Sequence, residues 1–164
     1  MKGAILMSIM ILGLGANLFG SDLLKVGTKA PDFTLLTETG EKVTLSKALE
    51  KGNVVLVFYP GDDTPGCTSQ LCAIRDDWSE FTGKNIQVYG VNPADAESHM
   101  KFSDKYSYPF PLLIDEDKSV SVDYKTSGKF FISRSVYGID QSGKIVFAEN
   151  GKPANSLILA AFLK

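Results

Sequence analysis

The sequence predicts an α/β domain built around a parallel or mixed sheet, and three observations carry that prediction. Val54 to Tyr59 is an unbroken apolar run of β-branched and aromatic residues, too short for a free-standing helix, so it reads as a strand buried on both faces. Leu71, Ile74, Arg75 and Trp78 then recur at steps of three and four, the period of a helix with one buried stripe. Strand-like and helix-like segments alternate along the rest of the chain, with a hairpin pattern near each end. A length of 164 residues suits one domain with a real core and not two.

From the N terminus, Met1 to about Ser21 reads as an export leader. Lys2 supplies the positive start, and Ala4 to Leu14 is apolar except for Ser8. A membrane anchor is the competing reading, because the apolar stretch runs nearly to Phe19 and approaches the ~17 to 20 residues that span a bilayer. Ala16 and Gly20 are small enough to precede a cut, although Leu14 and Leu18 stand where a second small residue is preferred. The chain therefore divides into a leader, 1–21, and one domain, 22–164, with no stable membrane insertion once the leader is removed.

Ser21 to Lys29 is a polar linker, and Ala30-Pro31-Asp32-Phe33 enters the domain. Phe33 to Leu36 and Lys42 to Leu45 alternate around Thr37 to Glu41, a hairpin with Gly40 in its turn. Ser46 is the expected cap of a brief helix, Lys47 to Glu50, before Gly52 releases the chain into the central strand. Two prolines and two glycines between Pro60 and Gly66 exclude strand and helix interior and leave a tight loop. The helix after Gly66 is expected to run to Gly83, with a second buried strand at Ile86 to Val91.

Asn92-Pro93 reads as a cap with proline at the first helical position, opening a helix to about Lys105. Pro109 to Ile114 returns to the sheet, Asp115 to Asp117 turns, and Ser119 to Tyr124 is a short helix. Ser133 to Ile139 and Lys144 to Glu149 flank Asp140-Gln-Ser-Gly143 as a second hairpin. Asn155 to Phe162 closes the domain as an amphipathic helix.

Composition removes several function classes. A net charge of -2 with no basic run argues against nucleic acid as a partner. Two cysteines and one histidine make neither a disulfide framework nor a four-ligand zinc site, and no metal or organic cofactor is expected. Asp115-x-Asp117-x-Ser119 begins like a calcium loop but lacks the glycine and the closing glutamate, so it is a turn.

What remains is sulfur chemistry. The loop delivers Cys67 to about the first turn of a helix, where unpaired N–H groups and the peptide dipole favour an anion. A thiol there is biased toward the nucleophilic thiolate. Thr64, three residues earlier, offers a hydroxyl to the sulfur or to an incoming oxygen.

Pro60-x-x-x-Thr64-x-x-Cys67 resembles the peroxiredoxin active-site signature. The longer match sharpens this: Phe58-Tyr59-Pro60 through Asp63-Thr64-Pro65-Gly66-Cys67-Thr68, with Cys72 and then Arg75-Asp76, resembles the bacterioferritin comigratory protein, or peroxiredoxin Q, branch. The similarity runs from about Val26 to the C terminus. It implies a thioredoxin-like fold: a central mixed sheet flanked by helices, with an N-terminal β-hairpin. It also implies the roles. Cys67 attacks the peroxide, Cys72 resolves the product as a disulfide, Pro60 shields the sulfur, Thr64 orients the peroxide, and Arg134 points its guanidinium at the sulfur. A thioredoxin-like dithiol protein is the implied reductant, and a monomer is expected. Ile74 in place of the usual phenylalanine, and Gly61 in place of a common lysine, depart from the branch outside its chemistry.

A permanent structural disulfide between Cys67 and Cys72 is the alternative role for the pair. Helix geometry opposes it: five residues separate the Cα atoms by roughly 8 to 9 Å, beyond the ~7 Å limit for a bridge. A bond between them requires the first turns of the helix to unwind, which makes the pair a switch.

Among other residues, Arg75 is expected to pair with Asp76 or Asp77, Trp78 to lie in the core, and His99 to face solvent. The competing function is an exported thiol-disulfide oxidoreductase acting on protein substrates. Such enzymes normally use Cys-x-x-Cys, whereas four residues intervene here. A non-enzymatic module with a structural disulfide is the third reading.

Overall fold

The computed structural model describes residues 22–163, so the expected leader lies outside the described residues. Its first hairpin pairs β1 (Thr34–Thr37) with β2 (Lys42–Thr44). Helix α1 (Leu45–Leu49) leads into β3 (Asn53–Phe58), followed by α2 (Pro65–Asp76), α3 (Trp78–Gly83) and β4 (Ile86–Asn92). Then come α4 (Ala96–Tyr106), β5 (Leu112–Ile114) and α5 (Ser119–Asp123). A second hairpin, β6 (Ser135–Ile139) and β7 (Ile145–Asn150), precedes α6 (Asn155–Ala160) and a 3₁₀ turn at Ala161–Leu163.

The strands form one mixed sheet in the order β2-β1-β5-β4-β3-β6-β7. Pairs β3–β4 and β4–β5 are parallel, and β3 pairs antiparallel with β6. Because successive side chains of a strand point to opposite faces, β3 feeds two cores at once. Val54, Leu56 and Phe58 pack with α1 and α5, while Val55, Val57 and Tyr59 pack with Cys67, Leu71 and Ile74 of α2, Phe102 of α4 and Ile158 of α6. Each fully buried aliphatic or aromatic side chain contributes about 1.5–3 kcal/mol relative to exposure. Gly90 of β4 makes room for this arrangement, since a Cβ there would stand 2.6 Å from Leu112 Cδ2 and 3.1 Å from the Tyr59 ring.

Several boundaries differ from the sequence reading, each for a tertiary reason. The helix expected to run to Gly83 breaks at Asp77, where Asn155 Nδ2 donates both to the Ala73 carbonyl at 3.0 Å and to Asp77 Oδ2 at 2.8 Å. Asn92 opens no helix: it is buried, its amide donates to the Tyr59 carbonyl, and its oxygen accepts from Ala94 N–H. Asp95 caps α4 instead, accepting from Ser98 N–H. Helix α1 starts at Leu45, earlier than expected, with Asp32 accepting from Ser46 N–H in place of a Ser46 cap. Trp78 is half-buried at the start of α3, tilted against Phe110 at 5.7 Å between ring centres. His99 is the largest departure, being fully buried on the inner face of α4. No helix among the described residues is long and apolar enough to cross a membrane.

Candidate active site

Thr64 takes an extended backbone (φ −89°, ψ 147°) and stands at the N-cap of α2, with Pro65 at the first helical position where its missing N–H costs nothing. The first intrahelical bond runs from Thr68 N–H to the Thr64 carbonyl at 2.8 Å. The N–H groups of Gly66 and Cys67 therefore stand ahead of the helical ladder, in the first turn. Cys67 occupies that turn with no solvent exposure, its sulfur sharing the core with Val55, Val57 and Tyr59.

Arg134 reaches this sulfur from the loop that enters β6. Its Nη2 donates to Cys67 Sγ at 3.3 Å, and its Nη1 donates to Gln70 Oε1 at 3.0 Å. Gln70 is itself buried and donates from Nε2 to the Gly151 carbonyl at 3.4 Å. Gly151 N–H in turn donates to the Arg134 carbonyl at 2.8 Å. The guanidinium is thus held in one orientation by a closed ring of contacts, with a donor aimed at the sulfur. Gly66 lets it come so near, since a Cβ there would stand 2.9 Å from Nη2. The sequence reading misses Gln70. Its spacing of three from Cys67 on one helix face was the available signal.

The remaining expected site residues are placed as follows. Thr64 directs its hydroxyl to the Gly61 carbonyl at 3.1 Å, which leaves its lone pairs for an incoming O–H. Pro60 is exposed where the chain leaves β3. Cys72 lies on the same unbroken α2 as Cys67, and both are free thiols. Half-buried, Cys72 has its sulfur 3.7 Å from the Tyr108 hydroxyl. Burial, then the bond with Cys72, pushes the Tyr108 phenol well above its usual range, so it stays a donor. Arg75 pairs with Asp76 through Nε and Nη2, and its Nη1 donates to the Tyr106 carbonyl at 2.6 Å.

A buried cysteine sulfur in the first turn of a helix, under a fixed guanidinium on a seven-stranded mixed sheet, defines a thiol-based oxidoreductase of thioredoxin-like fold. The relatives narrow that class. Residues 26–148 match the AhpC/TSA family. Peroxiredoxin Bcp of Bacillus subtilis (strain 168) is 37% identical over 131 residues, covering 75% of this chain and 83% of that protein. Chloroplastic peroxiredoxin Q of Arabidopsis thaliana is 40% identical over 129 residues, covering 77% of this chain but 59% of that longer protein. Among solved structures, the bacterioferritin comigratory protein of Xanthomonas campestris, described there for alkyl peroxide reduction, superposes with a TM-score of 0.73. It is 26% identical, over 80% of this chain and 90% of that one. The chain belongs to the AhpC/TSA family, in its Bcp and peroxiredoxin Q branch.

Proposed function

We infer that this protein reduces hydrogen peroxide and alkyl hydroperoxides through Cys67, as a thiol-dependent peroxidase serving antioxidant defence. The observation that carries the reading is the Arg134 guanidinium 3.3 Å from Cys67 Sγ in the first turn of α2. The thiolate attacks the terminal peroxide oxygen, the O–O bond breaks, and the departing oxygen takes a proton to leave as water or alcohol. Cys67 becomes a sulfenic acid. Arg134, the first-turn N–H groups and Thr64 are the groups that hold the peroxide oxygens where this charge moves. The Cys72 sulfur then displaces water from the sulfenic acid to form the disulfide, and a thioredoxin-type dithiol reduces it by exchange. Because the resolving cysteine is on the same chain, the cycle needs no second copy, and the protein works as a monomer. The test is peroxide consumption by the mature domain with dithiothreitol and with a thioredoxin system; a protein that consumes none with either fails the reading. The alternative of disulfide exchange on protein substrates lacks the Cys-x-x-Cys spacing.

Disulfide formation requires α2 to open, because both cysteines lie on one helix whose geometry keeps them apart. Opening withdraws Leu71 and Ile74, which are 0% and 1% exposed, from their packing. The oxidised protein is therefore expected to exchange amide hydrogens faster than the reduced one across Thr64 to Ile74. Identical protection of this segment in both states, with the disulfide confirmed by mass, would rule the opening out.

The first 21 residues support export to the periplasm or another part of the bacterial envelope, with membrane anchoring if the leader is retained. Lys2 followed by the apolar run Ala4 to Leu14 is the support. Fractionation is expected to find the protein in the envelope or periplasm, beginning after about residue 16 to 22. Full-length protein recovered from the cytosol would overturn export.

A further inference from the structure

Two neighbouring carboxylates in the loop before Thr64 are gripped by one helix. Asp62 accepts from Tyr59 Oη at Oδ1 and from Ser98 Oγ and His99 Nδ1 at Oδ2, all at 2.7 Å. Asp63, at a left-handed φ of 52°, accepts from Lys105 Nζ at 2.7 and 3.0 Å and from Tyr106 Oη at 2.8 Å. Ser98 and His99 lie in the first turn of α4, and Lys105 and Tyr106 close its last. None of these partners is on α2, although Arg75 near its C-terminal end donates to the Tyr106 carbonyl.

The His99 side chain is 0% exposed and that of Asp62 is 6% exposed. The second ring nitrogen of His99, Nε2, lies 3.2 Å from the Leu113 carbonyl of β5. An ionised carboxylate can only accept, so the ring nitrogen that meets Asp62, Nδ1, is the one that carries the donated hydrogen. Burial pushes the Asp62 carboxyl up, but the hydrogen bonds from His99, Ser98 and Tyr59 outweigh it and hold the group below its ordinary range. Burial, then the Asp62 charge, pushes the Tyr59 phenol well above its own range and keeps it a donor. A buried hydrogen-bonded polar pair contributes little net stability, because desolvation offsets its attraction, but it admits few geometries. Here the fixed geometry sits two residues before the N-cap of α2.

We propose that His99 is a positioning residue for peroxide reduction: buried on α4 it clamps Asp62, and through the loop it sets the Thr64 hydroxyl and the first turn of α2 against Cys67. This role rests on the peroxidase reading. It also gives the loop a reason to stay in place while α2 opens, since the clamp lies on the N-terminal side of Thr64.

His99 is the only histidine of the chain, so a nitrogen-15 spectrum of histidine-labelled reduced protein reads this one ring. Nδ1 is expected to carry a hydrogen that is held in a hydrogen bond; a ring whose Nδ1 carries none would overturn the clamp whether or not the protein reduces peroxide. The kinetic arm compares Cys67 oxidation by hydrogen peroxide with its alkylation by iodoacetamide, in a single turnover. His99→Gln and Asp62→Asn, each verified as folded, are expected to slow the peroxide step about tenfold or more while alkylation stays within about twofold. A folded His99→Gln or Asp62→Asn that reacts with peroxide at the wild-type rate would overturn the role, as would equal slowing toward both reagents. Wild-type protein inert toward peroxide would bring down the peroxidase reading, and the positioning role with it, leaving the nitrogen spectrum to judge the clamp alone.

Discussion

Cys67→Ser is expected to abolish peroxide reduction, whereas Cys72→Ser is expected to keep the first turnover. The asymmetry follows from where the two sulfurs sit on one helix. Cys67 lies in the first turn under the Arg134 donor, while Cys72 faces the Tyr108 hydroxyl and has no contact with the guanidinium. A serine hydroxyl at position 67 is not ionised at neutral pH and is a poor nucleophile toward peroxide, so the loss is roughly 10⁴-fold or more. In Cys72→Ser the initial burst of sulfenic acid forms at a rate within about twofold of wild type, because nothing that touches the peroxide has changed. Steady turnover with a thioredoxin system then stops, and excess peroxide drives Cys67 on to the sulfinic acid. Rapid-mixing kinetics with mass spectrometry of the trapped species checks both halves. Equal loss of the burst in the two variants would reverse the assignment of roles.

The second large effect is at Arg134. Removing a fixed donor aimed at developing charge typically lowers turnover by 10²- to 10³-fold, and Arg134→Gln is expected to slow Cys67 oxidation by roughly 10²-fold. The fold should hardly notice, since Arg134 is half-buried and lies outside both apolar cores. Arg134→Lys should rescue little: a single ammonium cannot reproduce the planar fork that engages Gln70 Oε1 and Cys67 Sγ together. Gly66→Ala offers an independent approach to the same contact. Its new Cβ would meet the end of a flexible side chain at 2.9 Å, so the guanidinium moves aside with little strain, and activity falls while thermal stability holds. An Arg134→Gln protein oxidised by peroxide within twofold of wild type would exclude the guanidinium from the chemistry.

Much of this site is legible in the amino-acid sequence, because its signals act over a few residues. The Val54–Tyr59 run, the proline and glycine loop and the three-four periodicity that follows place Cys67 at a helix start, and α2 begins at Pro65, two residues before the expected start, because proline is accepted at the first helical position. The hairpins at both ends follow the same local rules of alternation and turn chemistry. Arg134 was reachable only through a family resemblance, since a lone arginine before a strand has no local mark of its target 67 residues away.

The tertiary structure alone decided the rest. Asn155 meets the end of α2 from 82 residues beyond Ala73, and no window of sequence around Asp77 holds that donor. His99 reads as a polar residue on an amphipathic helix and so as a surface group, yet it points inward because Asp62, 37 residues earlier, and the Leu113 carbonyl meet it there. Periodicity and turn propensity report the chain's interaction with its own neighbours and with water. They cannot report a buried polar group whose desolvation is offset by partners from other segments, because that compensation exists only once those segments have packed together.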